Sequence, residues 1–329
     1  MRGTQLRLWL ALSSLIAGLA APRPALAEGT SLSAPLANNY AEMETARSAA
    51  MGGALRAFAN STGAVFQNPA AMVSTRVYHL EGVVQLTPEA ERQVYGGAIV
   101  DSVTGRLAGG LAVSGGALDP NGVDRSLLDA RLALAYPLGN NLALGATARY
   151  AKMTQDGLGP LGESKVSGGL MDPEGGRFPF VDGFSFDAGM LVRLGDALRL
   201  GVSGQNLSYP GHALLPTTLG GGLGYGSADL SVEVDALADF NTYDHTTGRF
   251  MVGAEYLLGD HVPVRAGYRY DEGGALHAVS AGLGYIGTEF GIEGALRRTL
   301  GEEAATTLVF QLGYFLESTG LTRTPEGFD

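Results

Sequence analysis

The sequence contains no cysteine, which excludes disulfide bonds, thiolate metal sites and lipid attachment through an N-terminal cysteine. It also lacks a basic surplus, since 22 lysines and arginines stand against 33 aspartates and glutamates, a formal charge of −11. Nucleic-acid binding needs cationic side chains that neutralise phosphates, so we expect no nucleic-acid partner. Beyond the N-terminus no uncharged apolar run is long enough for a membrane-spanning helix. The chain is therefore not an inner-membrane helical protein.

The N-terminus carries the three parts of a secretory signal peptide. Residues 2–7 include two arginines, residues 8–20 are apolar, and residues 25–27 form the small-x-small sequence Ala-Leu-Ala. We expect residues 1–27 to be removed, so that the mature chain begins at Glu28. The alternative is a membrane anchor, but the apolar run is short for a spanning helix and two prolines follow it.

Residues 46–72 are the one long segment after the N-terminus whose apolar residues do not alternate. The segment is rich in alanine, and Gly52 and Gly53 lie in its first half. This composition favours one or two short helices that break at the glycines. Asn68 and Pro69 indicate a turn or a helix start, because proline is tolerated at the first helical position.

From Ser74 onward the apolar residues recur at every second position, the period of a β-strand. In residues 250–258, for example, Phe250 and Val252 share one face and Glu255 lies on the other. Roughly fourteen such segments of about ten residues follow one another, the length that a tilted membrane strand needs. Aromatic residues fall near the segment ends, as an interfacial girdle requires.

The links between these segments alternate in length, which is typical of an outer-membrane barrel with short turns at one rim and long loops at the other. The tight turns are 102–105, 138–140, 195–196, 226–227, 259–261 and 287–288, and the longer links are 117–126, 155–181, 208–213, 239–248, 271–275 and 300–304. One short link, 88–91, breaks the contrast at the start.

These patterns predict an all-β fold, a closed transmembrane antiparallel up-and-down β-barrel of about fourteen strands. Closure is expected because an open sheet edge would leave backbone groups unpaired in hydrocarbon. An even strand number places both chain termini at the short-turn, periplasmic rim. The alternatives are a secreted β-sandwich, which also alternates, and a β-solenoid, for which no fixed internal repeat is found.

Charged residues fall on the polar phase of the strands, and we interpret them as facing the lumen. The candidate lumen charges are Arg149, Arg193, Glu233, Asp235, Glu255, Arg265, Arg269, Glu293 and Arg297. In one interpretation they pair with each other and with the N-terminal segment across a wet lumen. In the other, some of them bind the head group of an anionic amphiphile.

Motifs for chemistry are few. Residues 282–287 fit G-x-G-x-x-G, but they lie inside an alternating strand pattern rather than between a strand and a helix, so a dinucleotide site is not expected. The five histidines have no paired ligand spacing, and no nucleophile elbow occurs. We expect no metal, no cofactor and no enzymatic activity, with a hydrolase site built at a barrel rim as the open alternative.

The segment of residues 46–72 resembles the N-terminal signature of the FadL/PorV superfamily of outer-membrane proteins. The matching runs are ARSAAMGGA at 46–54, AFAN at 57–60 and QNPAA at 67–71. The plug motif residues in these runs are Arg47, Met51, Gly52, Gly53, Asn60, Asn68 and Pro69. Residues 262–270 and 280–285 are similar to the PorV-like branch. The chain departs from the signature at Ala71, where glycine is usual, and at Asn60 and Ser61, which replace an acidic pair.

The resemblance implies that residues 28–73 fold into the lumen as a hatch and that residues 74–316 form a fourteen-stranded barrel. The polar tail at 317–329 is a further departure from the family. The transporter branch moves hydrophobic compounds such as long-chain fatty acids or aromatic hydrocarbons, often through a lateral opening in the wall. The PorV branch serves secretion or surface-assembly machines. We favour a channel for hydrophobic or amphiphilic small molecules, with a partner in a secretion, surface-assembly or motility complex as the alternative. Outer-membrane lipid is the expected surrounding partner.

Overall fold

A computed structural model describes residues 32–120, 124–156, 177–208, 212–301 and 304–316. The expected signal peptide (1–27) and polar tail (317–329) lie outside these residues. Fourteen antiparallel strands form a closed barrel in which each strand pairs with the next in sequence and the last pairs with the first. The predicted fold class and strand number are thereby confirmed.

The strands cover most of the described chain. They are β1 (Tyr78–Thr87), β2 (Arg92–Asp101), β3 (Ala108–Leu118), β4 (Arg125–Pro137), β5 (Leu142–Asp156), β6 (Arg177–Leu194), β7 (Leu198–Gln205), β8 (Thr218–Gly226), β9 (Leu230–Asp239), β10 (Thr247–Leu258), β11 (Val262–Asp271), β12 (Leu276–Ile286), β13 (Phe290–Leu300) and β14 (Thr306–Leu316). Residues 282–287, which fit the dinucleotide motif, lie at the end of β12 and in the turn after it.

Each strand has an apolar outer face and a more polar inner face, because successive side chains point to opposite sides of a sheet. In β10 the outward Phe250 is 53% exposed, whereas the inward Glu255 is 3% exposed. The same contrast recurs around the ring, with leucines, valines and aromatics exposed outside and arginines, aspartates and glutamates buried inside. An apolar belt of this kind suits contact with lipid hydrocarbon.

The two rims differ as the link lengths predict. One rim carries the turns 102–107, 138–141, 195–197, 227–229, 259–261 and 287–289, and we call it the short-turn rim. The other, the long-loop rim, carries the links 88–91, 240–246 and 272–275 and the described parts of the links 119–124, 206–217 and 301–305; residues 157–176, between β5 and β6 in sequence, lie outside the described residues. The short link at 88–91 is a 3-10 helix, Pro88–Ala90, that joins β1 to β2.

Residues 32–77 precede β1 and lie inside the barrel; we call them the plug. They contain three short helices, α1 (Ala34–Ala37), α2 (Ala46–Ala50) and α3 (Ser61–Gln67), and the 3-10 helices Asn39–Ala41 and Pro69–Ser74. Helix α2 ends at Ala50, and Gly52 and Gly53 follow it with φ angles of +67° and +88°, which favour glycine. Among the described residues no helix is long and apolar enough to cross a membrane.

The plug runs from one rim to the other. Its first residues, Leu32 and Ala37, pack against Ala90, Leu118 and Ala305 at the long-loop rim. Its last residue, 77, leads directly into β1 at the short-turn rim, where β14 also ends. The prediction that both chain termini lie at the short-turn rim remains a prediction, since the chain ends are outside the described residues.

Candidate functional site: the plugged lumen

Glycines on the inner wall provide the space in which the plug lies. A Cβ atom at Gly253 would lie 2.6 Å from the carbonyl oxygen of Met51, and one at Gly282 would lie 2.6 Å from the Cβ of Ala50. At Gly145 it would lie 2.5 Å from the carbonyl carbon of Pro69. Larger residues at these positions would clash with the plug, so the high glycine content of the strands is tied to close approach of two backbones.

Acidic residues of the plug pair with arginines of the wall. Glu42 accepts from Arg249 and from Arg269, with N···O distances of 3.0 Å in both cases. Glu44 accepts from Arg269 at 3.2 Å and from Arg297 at 2.8 Å. These contacts join the N-terminal segment to β10, β11 and β13.

The arginines also set the protonation of these plug carboxyls. Burial alone would raise the pKa of Glu42, but the charges of Arg269 and Arg249 outweigh it and hold the pKa at about 2. Burial acts in the same direction on Glu44, where Arg297 and Arg269 lower the pKa below its ordinary value. Both groups are therefore ionised at neutral pH, and the ion pairs are fully formed.

Two carboxylates of β9 hold the backbone of the plug. The amides of residues 55–58 point at them in sequence: the first two donate to Asp235 at 3.1 and 3.2 Å, and the last two donate to Glu233 at 2.5 and 2.9 Å. The guanidinium of Arg56 adds a third bond to Asp235 at 3.0 Å. Four consecutive plug amides that belong to no helix are thus satisfied by the wall.

A chain of alternating charges lies nearer the short-turn rim. Arg47 of α2 donates to Glu255 at 2.9 Å, and Arg265 donates to the same carboxylate at 2.6 Å. Arg265 also pairs with Glu293 of β13. Glu255 of the wall therefore binds two arginines at once, Arg47 of the plug and Arg265 of the wall.

The remaining candidate charges lie elsewhere in the lumen. Arg149 pairs with Asp129 and donates to the side chain of Asn206 at 2.8 Å and to the carbonyl oxygen of Ala41 in the plug at 3.3 Å. Arg193 is buried near the short-turn rim, where its backbone amide donates to the carbonyl oxygen of residue 141 at 2.7 Å.

The plug motif residues have distinct local roles. Asn60 accepts from Arg47 at 3.3 Å. Asn68 donates to the carbonyl oxygens of Arg56 and Met190 at 2.8 and 3.0 Å, and its side-chain oxygen accepts from the amide of residue 70 at the start of the 3-10 helix that Pro69 opens. One asparagine thus joins two parts of the plug to β6.

Several charged residues of the lumen were not among the candidates that the sequence analysis selected. Arg249 follows the same period-two phase as Glu255 and could have been selected by that rule. Arg56 lies in the non-periodic segment 46–72, and Glu42 and Glu44 lie just before it. No strand phase marks which of these side chains face the wall.

Between the plug and the short-turn rim lies a cavity of about 1060 Å³, which we call the vestibule. Its lining combines apolar side chains, among them Leu55, Phe58 and Phe315, with the alternating charges described above. On the other side of the plug, described apolar side chains form clusters at the long-loop rim.

Over the described strands, the wall around the vestibule is continuous. Every strand pairs with both neighbours, and the one register shift in the ladder lies between Met153 and Thr154 in the pairing of β5 with β6. The lateral opening that the family resemblance implies is therefore closed in this structure.

No protein-family model matches the chain, and no curated protein matches it in sequence. Solved structures do match its fold. The toluene transporter TbuX of Ralstonia pickettii aligns with a TM-score of 0.64 and 16% identity over 83% of this chain and 98% of the transporter. The monoaromatic hydrocarbon channel CymD aligns with a TM-score of 0.63 and 16% identity over 83% and 97%. A FadL homologue of Pseudomonas aeruginosa aligns with a TM-score of 0.58 and 16% identity over 83% and 98%.

At this level of identity the likeness establishes the fold, a barrel of the FadL and TodX type. Two of the neighbours named above are described as a toluene transporter and a monoaromatic hydrocarbon channel. None of them is a barrel from a secretion complex, so the PorV-like branch and the secretion partners gain no support from the comparisons.

Proposed function

We propose that this protein is an outer-membrane channel for hydrophobic or amphiphilic small molecules, with residues 28–73 as its hatch. The observation that carries the proposal is the vestibule, a cavity of about 1060 Å³ with partly apolar lining that lies directly against a lumenal plug. The barrel around it has the fold of TbuX and CymD, which are described as a toluene transporter and a monoaromatic hydrocarbon channel. We assign no catalytic role to the lumen.

In this proposal the short-turn rim faces the periplasm, as in other outer-membrane barrels, and the vestibule opens there. Export depends on cleavage of residues 1–27. The ion pairs between plug and wall keep the hatch closed, and passage of a solute requires part of the plug to shift, because the plug meets the inner wall on many strands.

Two measurements test the proposal. Cells that lack the protein should take up toluene more slowly than wild-type cells, and expression of the protein should restore the rate. Deletion of Glu28–Met72 from the mature chain should leave a barrel that inserts but lets small sugars through, detected as faster liposome swelling. Unchanged toluene uptake would contradict the channel, and unchanged swelling would contradict the hatch. Heat-modifiable gel mobility verifies that the variant without Glu28–Met72 has folded as a barrel.

A further inference from the structure

Charge is balanced in the vestibule. Its lining includes five arginines and five aspartates or glutamates. The innermost of them are engaged with one another in the chain from Arg47 through Glu255 and Arg265 to Glu293. An anionic head group would have to displace a carboxylate from an arginine, and a cationic one would have to displace an arginine from a carboxylate. A charged solute therefore gains no uncompensated partner among these groups.

The arginines nearer the rim are also engaged. The guanidinium of Arg199 lies 4.8 Å from the ring centre of Phe58, and that of Arg106 lies 5.8 Å from the ring centre of Tyr136. Arg76 donates to the carbonyl oxygen of residue 103 at 2.7 Å. Each of these guanidinium groups is therefore already in contact with an aromatic ring or a backbone carbonyl, while it keeps its positive charge.

Beside these charges lies a strip of uncharged hydrogen-bonding groups. The hydroxyl of Ser61 lies 2.7 Å from Nδ1 of His79, and both residues line the vestibule. The ring of His79 lies 4.5 Å from that of Phe315, so the polar strip adjoins an aromatic surface. Because a hydroxyl has one donor and two acceptor positions, Ser61 keeps hydrogen-bonding capacity beyond its contact with His79.

The backbone at Ser61 is unusual. Its φ angle is +47°, a left-handed conformation that serine rarely adopts, and it occurs at the first residue of α3. Neighbouring contacts hold it there: Thr62 donates to Glu81 at 2.5 Å, and Gln311 donates to the same carboxylate at 2.8 Å. Backbone strain that the surroundings enforce is frequent at ligand clamps. Here it presents the Ser61 hydroxyl to the imidazole and to the vestibule.

We propose that the vestibule selects uncharged, mainly apolar solutes that carry a single hydroxyl group, and that Ser61, oriented by its contact with His79, receives the hydroxyl while the apolar body lies against Phe315. This inference rests on the proposed channel function and narrows its substrate class. Alkylphenols have the required chemistry. Phe315 supplies apolar surface for the ring, and Ser61 supplies a donor and acceptor for the phenol.

Three probes of matched shape separate the possibilities: 4-ethylphenol, ethylbenzene and 4-ethylbenzoate. Their binding to the full-length folded barrel is measured by equilibrium dialysis, with empty micelles of the same detergent as the blank. We expect 4-ethylphenol to bind about threefold to tenfold more tightly than ethylbenzene, the value of one net hydrogen bond, and 4-ethylbenzoate to bind most weakly.

Two variants test whether Ser61 and His79 cause the preference for 4-ethylphenol over ethylbenzene. Ser61→Ala and His79→Phe, which keeps an aromatic ring against Phe315, should each bring the two affinities to within about twofold without weakening ethylbenzene binding. The matched control is Ser203→Ala, a buried lumenal serine outside the vestibule lining, which should keep the wild-type preference. Trypsin resistance of the plug verifies that each variant is folded.

The outcomes are distinguishable. Equal affinity of the wild type for 4-ethylphenol and ethylbenzene, or strongest binding of 4-ethylbenzoate, would overturn this inference and leave the channel proposal standing. A preference for 4-ethylphenol that survives in both variants would also overturn it. Failure of all three probes to bind, together with unchanged toluene uptake in cells without the protein, would remove the channel proposal itself.

Discussion

The two halves of the barrel wall hold the plug by different means. Of the described residues, those that form ion pairs between plug and wall belong on the wall side to β9, β10, β11 and β13. Strands β2 to β6 meet the plug mainly through small and apolar residues, and the hydrogen bonds that Arg149 of β5 and the carbonyl of Met190 in β6 make with the plug have uncharged plug partners. Gly110 adjoins Val65 and Met72 of the plug, and Gly145 adjoins Pro69 and Ala70.

The difference matters because the two kinds of contact respond to different changes. A buried ion pair is sensitive to the loss of one partner and to protonation, since the remaining charge has no water to solvate it. A backbone seated against a glycine is indifferent to pH but sensitive to added volume. The charged half is thus the half that a chemical signal can loosen, and the apolar half is the one that keeps its geometry.

The largest effect is expected at Asp235, the acid that binds two plug amides and Arg56. The substitution Asp235→Asn keeps the shape but leaves the buried guanidinium without its carboxylate, which costs about 3–5 kcal/mol. We expect the plug to open more often, measured as faster trypsin cleavage after Arg47 and Arg56 in the intact barrel. The matched control is Asp182→Asn, which breaks the half-exposed pair with Lys152 and should change cleavage little. Equal cleavage in both variants would contradict a special role for the β9 carboxylates.

A smaller effect is expected on the apolar half, at Gly145. The substitution Gly145→Val would place a side chain against Pro69 and Ala70, and overpacking of this kind costs about 1–3 kcal/mol. Trypsin cleavage should again accelerate, but with no dependence on pH. The control is Gly183→Val in β6, where an added Cβ meets no atom within 4 Å. A tolerated Gly145→Val would show that this half does not hold the plug tightly.

A third effect, which depends on pH, is expected at Glu42, the plug acid that pairs with Arg249 and Arg269. Its pKa of about 2 lies below the ordinary 4.5, so its contribution is complete above about pH 4.5 and is lost as the pH falls through about 2. We expect a leak across planar bilayers that increases over this acidic window. In Glu42→Gln the leak should already be raised at neutral pH and should change less with acid.

Glu89 is the matched control for that titration. Its pKa is also lowered, by hydrogen bonds from Thr306 and Arg298 that outweigh the effect of burial, but it lies at the long-loop rim and pairs with no plug residue. Glu89→Gln should therefore reproduce the wild-type acid profile. If it abolishes the acidic leak as Glu42→Gln does, the leak does not originate in the plug.

Much of the wall was predictable because one simple rule governs it. Alternation with period two places Glu255 and Arg265 on the inner face, and register then pairs them directly across neighbouring strands. Link lengths identify the two rims because successive antiparallel strands are joined at alternate rims. The tight turns therefore all fall at one rim and the longer links at the other. These features follow from local sequence alone.

The plug contacts were not predictable in the same way. Glu44 and Arg297 are 253 positions apart, and what brings them together is the path of the plug through the closed barrel rather than any local pattern. The glycines at 145, 253 and 282 were interpretable as small residues of the inner wall, but the plug backbone that lies against them could be identified only once that path was known. Ser61 and His79 were likewise not singled out, since no spacing links them.

The route of the plug from rim to rim also has a consequence for biogenesis. A segment that extends from Leu32 at one rim to residue 77 at the other occupies the axis of the ring that β1 and β14 complete. The ion pairs of Glu44 with strands as late as β13 can form only after nearly the whole chain has been inserted. The plug therefore completes its contacts with the wall only at a late stage of assembly, when β13 and β14 are in place.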